Sequence, residues 1–162
     1  MTTYTTSTNG PNQALAQFNK LEVDEQLALL WFVYEQMGES ITTAAPGSAS
    51  PEIATGLYDQ VKALDQQQQL DAMRAIARKE QSHQISREYG SLSANTQLAF
   101  WYYLAQGMDS GDIIPMPDDY ELSDAGRDLL AALETMDFEA QITLLRDAAN
   151  SMGSEPSSGA SI

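Results

Sequence analysis

The 162 residues carry 8 Lys+Arg against 23 Asp+Glu, a formal net charge of −15 with a pI near 4.1, so phosphate backbones and anionic lipid are repelled. Nucleic acid and membrane-surface partners are therefore disfavoured. There is no cysteine, which excludes disulfides and thiolate chemistry, and His83, the single histidine, cannot build a zinc site by itself.

The length suits one compact domain. Its start, MTTYTTSTNGPNQ, has no basic region and no apolar region of a secretion signal, and no apolar run approaches membrane-spanning length. The chain reads as a soluble, cytoplasmic protein with a flexible arm over residues 1–17. The stretch DEQLALLWFVYEQMG, Asp24 to Gly38, is apolar or aromatic at every position from Leu27 to Tyr34. Leu27, Leu30, Trp31 and Tyr34 share one helical face, while Leu29, Phe32 and Val33 share the other, which predicts a helix buried all round.

TTAAPGSAS then interrupts, and Ser50 before Pro51 forms a helix-start signal. Asp65, Ser93, Ser123 and Asp137 stand likewise before periodic runs, while Gly111 and Gly153 are stops and DIIPMPDD is a proline-broken connection. Strand signals are absent and SEPSSGASI reads as a disordered tail, residues 154–162, so the class is all-α.

A duplication runs through this pattern. Gln26-Leu27-Ala28 recurs 71 residues later as Gln97-Leu98-Ala99, each opening an aromatic helix that carries a methionine before its end. LDQQQQLDAMRAIA aligns with MDFEAQITLLRDAA at an offset of 72, pairing Asp65 with Asp137, Gln69 with Gln141, Leu70 with Ile142 and Arg74 with Arg146. Halves this short close a poor core alone, so they share one about a pseudo-two-fold axis. Trp31, Tyr34, Trp101 and Tyr102 then converge near the axis with Met37, Met73 and Met108. Such stripes ordinarily pack a core, yet flat faces and adaptable thioethers around an axis also make a slot for an elongated apolar guest. No Ser-His-Asp arrangement or paired-carboxylate constellation stands out, which points away from an enzyme.

The runs DEQLALLWFVYEQMGESITTAAPG, AFWYYLAQGMDSGDIIPMPDDYELS and QITLLRDAANSMG resemble the N-terminal domain of the cyanobacterial orange carotenoid protein, and the length looks like its stand-alone relatives, the helical carotenoid proteins. The resemblance covers about Phe18 to Gly153. It implies two interleaved four-helix bundles over residues 18–153 with a keto-carotenoid such as canthaxanthin or echinenone threaded between them. By the same resemblance the function is photoprotection through quenching of singlet oxygen, with phycobilisome quenching, or exchange with a separate C-terminal-domain homologue, as the alternative.

Carried over on the matching positions, the resemblance assigns the carotenoid wall to Leu27, Leu30, Trp31, Tyr34, Met73, Leu98, Trp101, Tyr102, Ala105 and Met108. It places Met116 and Tyr120 around one end ring, with Met116 standing where isoleucine occurs in relatives and Ala105 where glycine is usual. Ile142 and Thr143 are assigned to the last helix. Arg146 matches an arginine that bridges to a C-terminal domain or binds phycobilisomes, but Asp147 follows it where relatives often carry asparagine, which argues against antenna docking.

Overall fold

The computed structural model describes residues 11–42 and 51–153. The start before Pro11, the connection 43–50, with the expected cap Ser50, and the tail 154–162 lie outside the described residues. Among those described there are eight helices and no strand: α1 Pro11–Lys20, α2 Val23–Thr42, α3 Pro51–Lys62, α4 Gln66–Arg78, α5 Gln84–Gly90, α6 Ala94–Ser110, α7 Asp124–Thr135 and α8 Phe138–Asn150.

The caps sit where the sequence puts them. Asp65 closes a capping box with Gln68, and Ser93, Ser123 and Asp137 accept from the backbone N–H groups of Thr96, Gly126 and Ala140. Each such cap contributes about 1 kcal/mol. His83 is a cap as well, its Nδ1 accepting from Ile85 N at 3.2 Å. Gly111 (φ 94°) ends α6 in the left-handed region that favours glycine.

Packing interleaves the chain. α1 packs on α7 and α8 and α2 on α7, so the first two and last two helices form one bundle, while α3 packs on α4, α5 and α6 in the other. Contacts of α2 with α4 and α6, and of α6 with α8, join the bundles into one body.

Two expectations are corrected. The arm over 1–17 gives way from Pro11 to helix α1, whose Ala14 and Phe18 are buried, so the boundary at residue 17 falls inside a helix. Their i, i+4 spacing makes an apolar stripe that α7 and α8 cover. The Leu27–Tyr34 helix is not buried all round. Ala28, Leu29 and Val33 enter the core, whereas Leu27, Leu30, Trp31 and Tyr34 remain partly exposed.

Candidate functional site

The partly exposed face of α2 borders a cavity of about 280 Å³. α2 contributes Leu27, Leu30, Trp31, Val33 and Tyr34; α4 contributes Leu70, Met73 and Arg74; α6 contributes Leu98, Trp101, Tyr102, Leu104, Ala105 and Met108. The 112–120 connection closes it with Ile114, Pro115, Met116, Pro117 and Tyr120, and α8 adds Leu145. Apart from Arg74 and Asp24 at its edge, the wall carries no charged group.

The aromatic members are fixed from behind. Trp101 Nε1 donates to Tyr89 Oη at 2.8 Å, and Tyr89, wholly buried, donates in turn to the carbonyl of Ala149. Burial holds the Tyr89 phenol well above its ordinary pKa, so it keeps its proton. Trp101 also packs edge-on against Phe100 and Tyr89, while Trp31 stacks on Tyr34 with centroids 5.6 Å apart, and Tyr34 meets the Tyr102 ring edge at 5.7 Å. The tryptophans thus present large apolar faces to one space.

The loop is held by two polar anchors. Gln69, buried on α4, accepts from Ile114 N at 2.8 Å and donates to the carbonyls of Leu64 and Asp112. Glu25, buried on α2, accepts from Tyr120 Oη, Ser123 N and Ser123 Oγ at 2.8, 2.6 and 2.8 Å. Burial, with the Glu25 carboxylate beside it, pushes the Tyr120 hydroxyl up to about 12, so it stays a donor. Gly107 lets the loop approach α6: a Cβ there would run into Tyr58 Oη and Ile113 Cγ1.

All the wall residues named from the sequence meet at this cavity except Ile142 and Thr143, which do not line it. On α8 only Leu145, three residues after Ile142, reaches it. Leu70, the duplicate of Ile142, does line it, so α4 contributes more of the wall than α8. Met37 packs on the core instead. Leu70, Leu104 and Leu145 were legible as helical neighbours or duplicates of Met73 and Trp101; Asp24 and Arg74 share that register without its apolar character, and the loop prolines carry no periodic signal.

The duplicated arginines differ. Arg74 forms a two-point ion pair with Asp24, Nε to Oδ1 at 2.8 Å and Nη2 to Oδ2 at 3.0 Å, which holds Asp24 below the usual carboxylate range. Arg146 meets only the neutral Asn95, Nη1 to Oδ1 at 3.4 Å, with no carboxylate in ion-pair reach among the described residues. No group of three His, Asp or Glu side chains gathers among the described residues to hold a metal, and no helix there is long and apolar enough to cross a membrane.

The model of a family described as orange carotenoid protein, N-terminal, matches residues 4–155. A Nostoc sp. protein named orange carotenoid-binding domain-containing protein is 47% identical over 139 residues, which cover 86% of this chain and 81% of that one. The orange carotenoid-binding protein of Synechocystis sp. is 38% identical over 86% of this chain, which spans only 44% of that relative's length. Among solved structures, the red carotenoid protein of Anabaena (Nostoc) sp. PCC 7120 binding canthaxanthin superposes with a TM-score of 0.81 at 47% identity, over 90% of this chain and 99% of that one. The orange carotenoid protein of the same organism, also binding canthaxanthin, gives 0.80 at 35% identity over 91% of this chain and 47% of that one. The chain belongs to the orange carotenoid protein N-terminal family.

Proposed function

We propose that the cavity binds a keto-carotenoid of the canthaxanthin or echinenone type, and that the chain is photoprotective, quenching singlet oxygen without being an enzyme. The observation that carries this is an apolar cavity walled by both tryptophans and by Tyr34 and Tyr102, in a chain 47% identical to a protein solved with canthaxanthin. A conjugated polyene is flat, apolar and, at about the length of a helix of roughly 20 residues (~30 Å), long enough to run past the cavity to the surface. Its low triplet level takes energy from singlet oxygen and releases it as heat. The protein's task is then to hold and solubilise the pigment, which needs no acid, base or nucleophile.

In this reading Leu27, Leu30, Trp31, Tyr34, Met73, Leu98, Trp101, Tyr102, Ala105 and Met108 flank the polyene, and Met116 and Tyr120 surround an end ring. Ile142 and Thr143 contact the pigment from α8, where it runs past the cavity. The holding unit runs from α1 to Gly153, and its place of work is the cytoplasm. Producing the chain in a host that makes canthaxanthin tests the reading: a visible-absorbing protein from which a keto-carotenoid can be extracted is expected, and a colourless protein overturns it.

A second reading, docking to a phycobilisome or to a separate C-terminal-domain homologue, is favoured by one observation: Arg146 lacks the carboxylate that its duplicate Arg74 possesses. Asp147 beside it weakens the attraction to an acidic partner. Quenching of phycobilisome fluorescence is expected to be weak or absent; strong quenching lost on Arg146→Ala would promote this second reading.

A further inference from the structure

The mostly apolar cavity wall carries charge at one place, where Arg74 and Asp24 stand together. Their side chains are 28% and 54% exposed, so the pair stands where the cavity meets solvent. Tyr120 belongs to the same end, since its hydroxyl donates to Glu25, the residue after Asp24. Within the pair, Asp24 engages Arg74 through Nε and Nη2 only. Nη1, with two N–H groups, has no hydrogen bond among the described residues. The duplicate Arg146 does not line the cavity, so the second half offers it no matching cation.

A guanidinium pinned side-on by a carboxylate is oriented at little further entropic cost, and it stays charged at any working pH. An apolar cavity ending in such a donor suits a rod-shaped ligand that is hydrocarbon along its length and carries an acceptor oxygen at its tip. A hydrocarbon ring at the same place would desolvate the guanidinium and return no hydrogen bond. Resting on the carotenoid reading, we propose that Arg74, through Nη1, is a specificity residue that donates to the oxygen of an end ring, so that the cavity takes oxygenated polyenes in preference to hydrocarbon ones.

The test titrates the unloaded 162-residue chain with canthaxanthin and with β-carotene, which has no oxygen. Wild type is expected to favour canthaxanthin by at least about tenfold, the worth of one charge-assisted hydrogen bond. Arg74→Met should lower canthaxanthin affinity and leave β-carotene unchanged or tighter, collapsing the ratio. A purely structural Arg74 would weaken both pigments alike, and an unchanged ratio in Arg74→Met overturns the proposal. Should that variant fail to fold, the carbonyl stretch of canthaxanthin bound to wild type serves instead: a band below its position in an apolar solvent that moves on Arg74→Lys supports the proposal, and a band at the apolar-solvent position overturns it. If neither pigment binds wild type, the carotenoid reading falls first and this inference with it.

Discussion

In α2 the carboxamide of Gln26 donates to the carbonyl of Phe18 at 3.0 Å; in α6 the carboxamide of Gln97 donates to the carbonyl of Tyr89 at 2.9 Å, again eight residues back. Phe18 and Tyr89 are duplicates by the same offset, and both are buried. Asp65 and Asp137 cap α4 and α8 alike. Beyond this shared frame the halves diverge. Tyr89 adds a hydroxyl that fixes Trp101 from behind, while Phe18 has none to offer; Arg74 has its Asp24 and lines the cavity, while Arg146 has Asn95 and does not. Duplication has kept the buried hydrogen bonds, whose loss strands a polar group, and has left the cavity face and the surface free to change.

The largest expected effect separates the two tryptophans. Trp101 is 7% exposed and anchored by Tyr89, so Trp101→Ala should cost about 3–5 kcal/mol in chemical denaturation and abolish pigment binding. Trp31 is only half-buried and stacks on Tyr34, so Trp31→Ala should cost less than about 2 kcal/mol while pigment occupancy still falls. Equal stability losses in the two variants would erase the proposed asymmetry.

Next comes close packing. Gly107 is the duplicate of Gln36, which is exposed on α2, whereas a Cβ at Gly107 meets Tyr58 and Ile113. Gly107→Ala should therefore destabilise by about 1–3 kcal/mol, although alanine is the better helix former. A stabilised variant would mean the loop can retreat from α6.

Tyr89→Phe makes the second half resemble the first. It removes the acceptor for Trp101 Nε1 and the donor to Ala149, and about 1–3 kcal/mol should be lost. The Trp101 emission should shift as its buried N–H loses its partner; an unmoved spectrum would show that the hydroxyl does not position the indole.

The smallest effect concerns charge. Asp24 is held below its ordinary value of 3.8 by the hydrogen bonds from Arg74, partly opposed by burial. A depressed carboxylate stabilises the fold fully above the unfolded value, and the contribution is lost as pH falls through the lower folded value. Because Asp24 is more than half exposed, the pair is worth less than about 1 kcal/mol. Asp24→Asn should lower the melting temperature slightly at neutral pH and not at about pH 2, where the wild-type carboxyl is itself protonated. Asn95→Asp should give Arg146 the partner it lacks and raise the neutral melting temperature by a similar small amount.

Periodicity and capping chemistry made most of the helices and the convergence of Trp31, Tyr34, Trp101 and Tyr102 legible, because helix faces and caps are local properties. The closure of the cavity by the 112–120 connection was not. That connection is held by Gln69 and Glu25 through contacts 45 and 95 or more residues apart, which no local pattern encodes. The same distance hid Arg74: its partner Asp24 is 50 residues away, and only the packing of α2 on α4 brings them to one mouth. Helix α1 was obscured by polar neighbours, since its buried stripe rests on Ala14 and Phe18, with Leu15 packed beside them.

The chain's two tryptophans both line the cavity. A polyene seated there lies against both indoles and drains their excitation, so titrating the unloaded chain with canthaxanthin while following tryptophan emission tests the location of the pigment directly. Near-complete loss of emission is expected at one pigment per chain. Stoichiometric uptake of the pigment with the tryptophan emission largely intact would contradict it.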